Sequence, residues 1–224
     1  SLQKMGRMDE AKEAFRQSIQ IDPDSVSGHM YLANMLIMQK QHLDEAMAHL
    51  RLVLLAIPED TIALYNLGKI LEHQDKPDEA ISRYHHAVYI NPDDAEAHLQ
   101  LGRLLGEQQQ YDEATTHLFK VSESEIDNAI NRNLLALSLL HLNRTDEAIL
   151  QFQQAAQMQP GNKTVHNNLG SALASQGKLD EATVCFREAL AIDPNYADGN
   201  RNLGSTLRLQ GKMNEAISYY QKAL

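Results

Sequence analysis

The triplet Asp-Glu-Ala recurs along the chain with its alanine at Ala11, Ala46, Ala80, Ala114, Ala148 and Ala182, and it returns as Asn-Glu-Ala at Ala216. The first interval is 35 residues and the other five are 34. A period of this length means one small supersecondary unit stacked on copies of itself, because so short a unit cannot bury its own apolar face alone. The length of 224 residues then reports how many units there are, not the size of one globular core.

The stretch from Asn168 to Pro194 shows what the unit is. Leu169, Gly170 and Leu173 share one helical face. Gly177 stops that helix, since only a residue at ease with positive φ closes it cheaply. Asp180 and Glu181 open a second helix, where the macrodipole favours carboxylates. Ala182, Phe186, Ala189 and Leu190 then form an amphipathic stripe at i, i+4, i+7 and i+8. Asp193-Pro194 ends it, because the residue before proline is pushed out of the α region. Gly170 and Ala182 are small where the two helices approach closely, and Phe186 is expected to fill the space between one hairpin and the next.

The period divides the chain into a partial unit over 1–25, repeats at 26–60, 61–94, 95–128, 129–162 and 163–196, and a partial unit over 197–224. Leu2 and Gly6 take the places of Leu173 and Gly177, so Ser1 to Met8 reads as the end of a first helix, with a turn at Gly6. No polar capping helix follows Leu224, and arrays need capped ends, so a segment of a longer protein is expected. Repeat two holds the extra residue, expected in the turn from Gln39 to Leu43. It is rich in methionine (Met30, Met35, Met38 and Met47), which reads as soft core filling or as an adaptable surface. Asp75 and Gln109 occupy the turn place of Gly177. Repeat four departs furthest from the pattern: besides Gln109 it has Val121 in a small place and Ile126 in the proline place, which predicts an irregular joint before repeat five.

Composition excludes several classes of function. Of the 30 acidic residues 13 belong to the triplets, and the remaining 17 face 20 basic ones. The net charge of −10 is therefore mostly helix-start chemistry, and it argues against nucleic acid, which wants a basic stripe. No apolar run approaches 18 residues and no secretory signal opens the chain, so membrane insertion is not expected and a cytoplasmic setting is favoured. Cys185 is alone, which excludes an intrachain disulfide or thiolate cluster and reads as a structural thiol. Phosphate loops and nucleophile elbows are missing, so no catalytic residue and no cofactor is expected. The ten histidines, His85-His86 with His49 and His117 among them, follow the repeat, and adjacent helical side chains diverge by about 100°, so no metal site is expected. Asn143-Arg144-Thr145 and Asn162-Lys163-Thr164 are glycosylation sequons that matter only in a secretory pathway.

With Leu169, Gly170, Leu173, Ala182, Phe186, Ala189 and Pro194 in its signature places, the sixth repeat resembles the tetratricopeptide repeat (TPR) family, and the resemblance covers essentially the whole chain. It implies an all-α solenoid of stacked helix-turn-helix hairpins in a right-handed superhelix, with first helices lining a concave groove. The family's frequent tryptophan place holds His29, Leu64, His98, Arg132, His166 and Asn200 instead.

The groove place just before each Leu-Gly-type pair reads Tyr31, Asn66, Gln100, Leu134, Asn168 and Asn202. Four of these six carry an amide, which can both donate to and accept from a peptide backbone. Asn66, Asn168 and Asn202 resemble the asparagine ladder in the TPR arm of O-GlcNAc transferases. Asn167 and Arg201 lie one residue earlier, and Ile130, Leu134 and Leu137 form an apolar patch among the amides. Places where a carboxylate clamp of the co-chaperone kind would need lysine hold none. The expected function is therefore non-catalytic binding of a protein or extended peptide in the groove. Two alternatives are a substrate-presenting arm of a larger enzyme such as a glycosyltransferase, and a structural subunit of a cell-envelope or secretion assembly.

Overall fold

The computed structural model describes residues 2–40 and 42–224. Among them there are thirteen α-helices and no strand: α1 (Leu2–Ile21), α2 (Val26–Gln39), α3 (Leu43–Ala56), α4 (Thr61–His73), α5 (Pro77–Ile90), α6 (Ala95–Glu107), α7 (Tyr111–Ser122), α8 (Ala129–His141), α9 (Thr145–Met158), α10 (Lys163–Ser175), α11 (Leu179–Ile192), α12 (Ala197–Leu209) and α13 (Met213–Lys222). None is long and apolar enough to cross a membrane. The chain forms two compact units, Ser1–Leu104 and Leu105–Leu224. In the first, α2 pairs with α3 and α4 with α5; in the second, α8 pairs with α9, α10 with α11 and α12 with α13.

Five of the hairpins turn on one left-handed residue each. Asp75, Gln109, Asn143, Gly177 and Gly211 all have positive φ, at one 34-residue spacing. The three with side chains sit where the left-handed region costs an L-residue about 1–2 kcal/mol, and the packing of the hairpin holds them there. In repeat two, α2 is one residue longer than α4, and Lys40 and His42 both lie in the left-handed region. The extra residue is thus absorbed at the end of α2, within the expected stretch; Gln41 itself lies outside the described residues.

The second helices start as the triplets require. Lys76, Arg144 and Lys178 precede them without a side-chain cap, and the first turn carries an Asp-Glu pair each time. The triplet aspartates also reach across to the next hairpin. Gln74, Gln176 and Gln210 donate to Asp44, Asp146 and Asp180 at 2.9, 2.6 and 2.9 Å. The first helices α2, α4, α8 and α10 are capped instead by side chains, Ser25, Asp60, Asn128 and Asn162.

Core packing is made within hairpins and between them. A Cβ on Gly170 would stand 2.7 Å from the Phe186 ring, and one on Gly68 would stand 2.6 Å from Tyr84. The missing side chain is the socket for an aromatic ring of the same hairpin, which corrects the expectation that Phe186 fills the space between hairpins. Between hairpins, Leu64, Ala87 and Ala97 join in one cluster and Ala129, Ala155 and Val165 in another.

Two further expectations are revised. The helix α1 runs without a break through Gly6. A glycine inside a helix costs only about 1 kcal/mol, a cost that continued backbone hydrogen bonding offsets. The methionines of repeat two do not all fill the core: Met47 is buried, whereas Met38 is 72% exposed.

Candidate peptide-binding face

In the second unit α8, α10 and α12 are neighbours in space, α10 touching both others. Their polar residues interlock. Asn168 donates from Nδ2 to Oδ1 of Asn133 at 2.9 Å, and Asn202 donates to Oδ1 of Asn167 at 3.0 Å and to Ser171 at 3.4 Å. Asn167 is buried, so it orders Asn202 and is not itself open to a ligand. Asn168 and Asn202 are half-buried and have no other protein partner among the described residues. Each therefore keeps its carbonyl oxygen uncommitted, and Asn168 one N–H as well.

Flanking residues are placed unequally. Ile130 is 61% exposed, while Leu134 and Leu137 on the same face of α8 are half-buried. Ile130 also borders a pocket of about 430 Å³ with Met158, Gln159 and the link before α8. Arg201 is exposed and pairs with Asp198 at 2.5 Å.

The first unit carries the row differently. Asn66 donates to Asn34 at 2.7 Å. Gln100 is not joined to Asn66. It accepts from Arg103 at 3.2 and 3.3 Å, and Arg103 also pairs with Glu72. The hydroxyl of fully buried Tyr84 donates to Glu72 at 2.6 Å. Burial first, and then the neighbouring Glu96, push the Tyr65 phenol beside this network up to about 12.

Four of the six residues in the tryptophan place share one task. His29, His98 and His166 direct Nε2 at the carbonyls of Pro23, Pro92 and Pro160, at 2.9, 3.0 and 2.8 Å. Asn200 donates to Pro194 at 3.0 Å. Each spans six residues and fastens the link to the helix after it, so these side chains are structural. Nδ1 of His29 meets Nδ1 of His49 at 2.8 Å. Desolvation first, then the charge of His29, lower the pKa of His49. Cys185 is buried, and burial, followed by Glu188 and Glu181, raises its thiol to about 11. A thiol so raised is a poor nucleophile near neutral pH.

Sequence reasoning missed two features. One is the set of clips from Gln74, Gln176 and Gln210, whose shared spacing was the available signal. The other is a pocket of about 680 Å³ around Tyr31, which the emphasis on amides passed over.

Comparison with known proteins gives the fold a name. Tetratricopeptide repeat models match residues 2–70, 71–137, 131–162, 164–196 and 201–224. No curated protein matches the chain significantly in sequence. Among solved structures it is similar to YrrB, a TPR protein with an unusual peptide-binding site, with a TM-score of 0.70 and 24% identity over 78% of this chain and 90% of that one. A MamA structure follows with a TM-score of 0.71 and 22% identity over 75% and 92% of the two chains. MamA from Desulfovibrio magneticus RS-1 gives 0.68 and 18% over 76% and 96%. Identities this low carry the fold alone. With its hairpins on a 34-residue period, its aromatic rings seated on helix glycines and family models matched along nearly its whole length, the chain belongs to the tetratricopeptide repeat family.

Proposed function

We propose that the chain is a non-catalytic protein-binding module that holds an extended peptide or tail along its first helices, with Asn168 and Asn202 on the ligand backbone. The observation that carries this reading is the interlocking of those amides. Each is held from the preceding helix and keeps its carbonyl oxygen for a ligand, and Asn168 keeps an N–H as well. A side chain already fixed loses little rotamer freedom on binding. An amide pairs with either half of a peptide group, so the share of affinity it supplies does not depend on ligand sequence. Neighbouring helices pack ~8–10 Å apart and an extended chain rises ~3.3 Å per residue, so one amide meets about every third ligand residue. Ile130, Leu134 and Leu137 supply an apolar flank for one side chain, and Arg201 an exposed cation. The similarity to YrrB, itself a peptide binder, supports the same reading.

Partners captured by pull-down and identified by mass spectrometry supply peptides for titration. Replacing Asn168 and Asn202 together by alanine weakens binding by ~1–3 kcal/mol, at a net ~0.5–1.5 kcal/mol per hydrogen bond. Circular dichroism of the variant retains its helix, with a stability loss of about 1 kcal/mol per site from the internal bonds removed. Unchanged affinity in the double variant overturns the reading.

A further inference from the structure

The pocket of about 680 Å³ in the first unit lies where α2 and α4 begin. Its wall is apolar: Met30 is half-buried, and Tyr31 and Ile62 are 56% and 59% exposed. One face of the Tyr31 ring is covered by Phe15, at a centroid distance of 5.3 Å and an interplanar angle of 18°. Tyr31 occupies the ladder place of its repeat, so the pocket continues the row that Asn66 belongs to. Asn34, also in the lining, accepts from Asn66 and keeps its own amide N–H groups uncommitted.

Asp22, Asp24 and Asp60 also line the pocket, and no lysine, arginine or histidine does. None of the three makes an ion pair among the described residues, whereas Glu45, Asp193 and Asp198 are paired with Arg16, Lys163 and Arg201. Two of them use one oxygen each in local bonds: Asp60 Oδ1 caps α4 through Ala63 N at 2.8 Å, and Asp22 Oδ1 accepts from Asp24 N at 3.3 Å. Three uncompensated carboxylates beside an apolar, aromatic wall focus a negative potential into the cavity. That combination selects among side chains. Aliphatic groups would leave the charges unanswered, and acidic ones would be repelled. A guanidinium stacks on an aromatic face and carries forked N–H groups for carboxylates, while its stem lies along methionine and isoleucine.

We infer that this pocket receives an arginine side chain of a bound peptide and thereby sets that peptide's register along α2 and α4. The inference rests on the peptide-binding reading above and adds the ligand chemistry. The test uses the whole chain and a seven-residue glycine-serine peptide with one central arginine, alongside versions carrying citrulline, lysine or glutamate there. Methyl NMR follows Met30 and Ile62 through each titration. The arginine peptide shifts both methyl signals to saturation, more weakly as salt rises. Citrulline, the neutral isostere, binds about tenfold more weakly or worse, and lysine falls between the two. Replacing Asp22, Asp24 and Asp60 by asparagine, which preserves the cap at Asp60, reduces arginine-peptide affinity by a similar factor. Equal binding of arginine and citrulline, or an arginine peptide that leaves both methyl groups unmoved, overturns the inference on the unaltered protein. Neither outcome touches the amide reading, which stands or falls on Asn168 and Asn202 in the other unit.

Discussion

Between α9 and α10 the chain turns in four residues, Gln159 to Asn162, and between α7 and α8 it takes six, Glu123 to Asn128. The short link has Pro160, whose carbonyl accepts from His166 at 2.8 Å, and Asn162 caps the helix that follows. The long link has Ile126 in the proline place, and its tie is built from other groups. Asn131 donates to the Ile126 carbonyl at 2.9 Å. Arg132 pairs with Asp127 at 2.6 Å, donates to Gln151 at 2.9 Å and to the Ser122 carbonyl at 3.2 Å, and also holds Gln154. Where a rigid ring is missing, a nearly buried guanidinium gathers the loose ends. An irregular joint is therefore not a slack one, and the two links divide their stability differently between backbone stiffness and one side chain.

The largest effect follows from that division. Arg132→Ala leaves Asp127 nearly buried and unpaired, with its Oδ1 already lacking a partner, and costs about 3–5 kcal/mol in denaturant unfolding. His166→Ala at the short link costs about 1 kcal/mol, and His166→Asn recovers most of it, since Asn200 does this work at Pro194. A His166 loss as large as that at Arg132 breaks the comparison. Hydrogen exchange sharpens it. Glu125 and Ile126 donate to no backbone carbonyl among the described residues, whereas Gln159 and Asn162 donate at 3.0 and 3.1 Å. Exchange is faster at the first pair; equal protection counts against the distinction. The smallest effect concerns the link before α12. The hydrogen bond from Lys163, and next that from the Asn195 backbone, hold Asp193 below its ordinary value of 3.8. A carboxylate lowered on folding contributes stability that is present above 3.8 and lost as pH falls through the folded value. Carboxyl-carbon titration by NMR shows Asp193 below 3.8 in the native protein and closer to it in Lys163→Ala.

The parts of the fold that were legible in the sequence are those fixed by backbone chemistry. The proline places end helices, the triplets begin them, and the turn falls where Asp75, Gln109 and Gly177 stand. Ile126 announced the irregular joint, because a missing proline is visible without coordinates. What stayed hidden depends on which way a side chain leans. Nothing in the spacing says that Asn202 reaches back to Asn167, that Gln100 turns to Arg103, or that Phe186 seats on Gly170 of its own hairpin. The Arg132 network was equally unreadable, since its partners are set by helix packing and not by distance along the chain. The Tyr31 pocket escaped because its carboxylates belong to links and caps, where acids already have a reason to be.

The tie from each link to the helix after it bears on how such an array can be copied. A segment cut from Pro160 to Asp193 carries its own His166–Pro160 bond, the Asn162 cap, the Phe186–Gly170 contact and the Lys163–Asp193 pair. A segment of equal length cut from Lys163 to Tyr196 leaves the first two behind. A duplication or graft whose breakpoints fall just before a proline thus inherits a finished piece, whereas one that respects helix boundaries must find those bonds again at its destination.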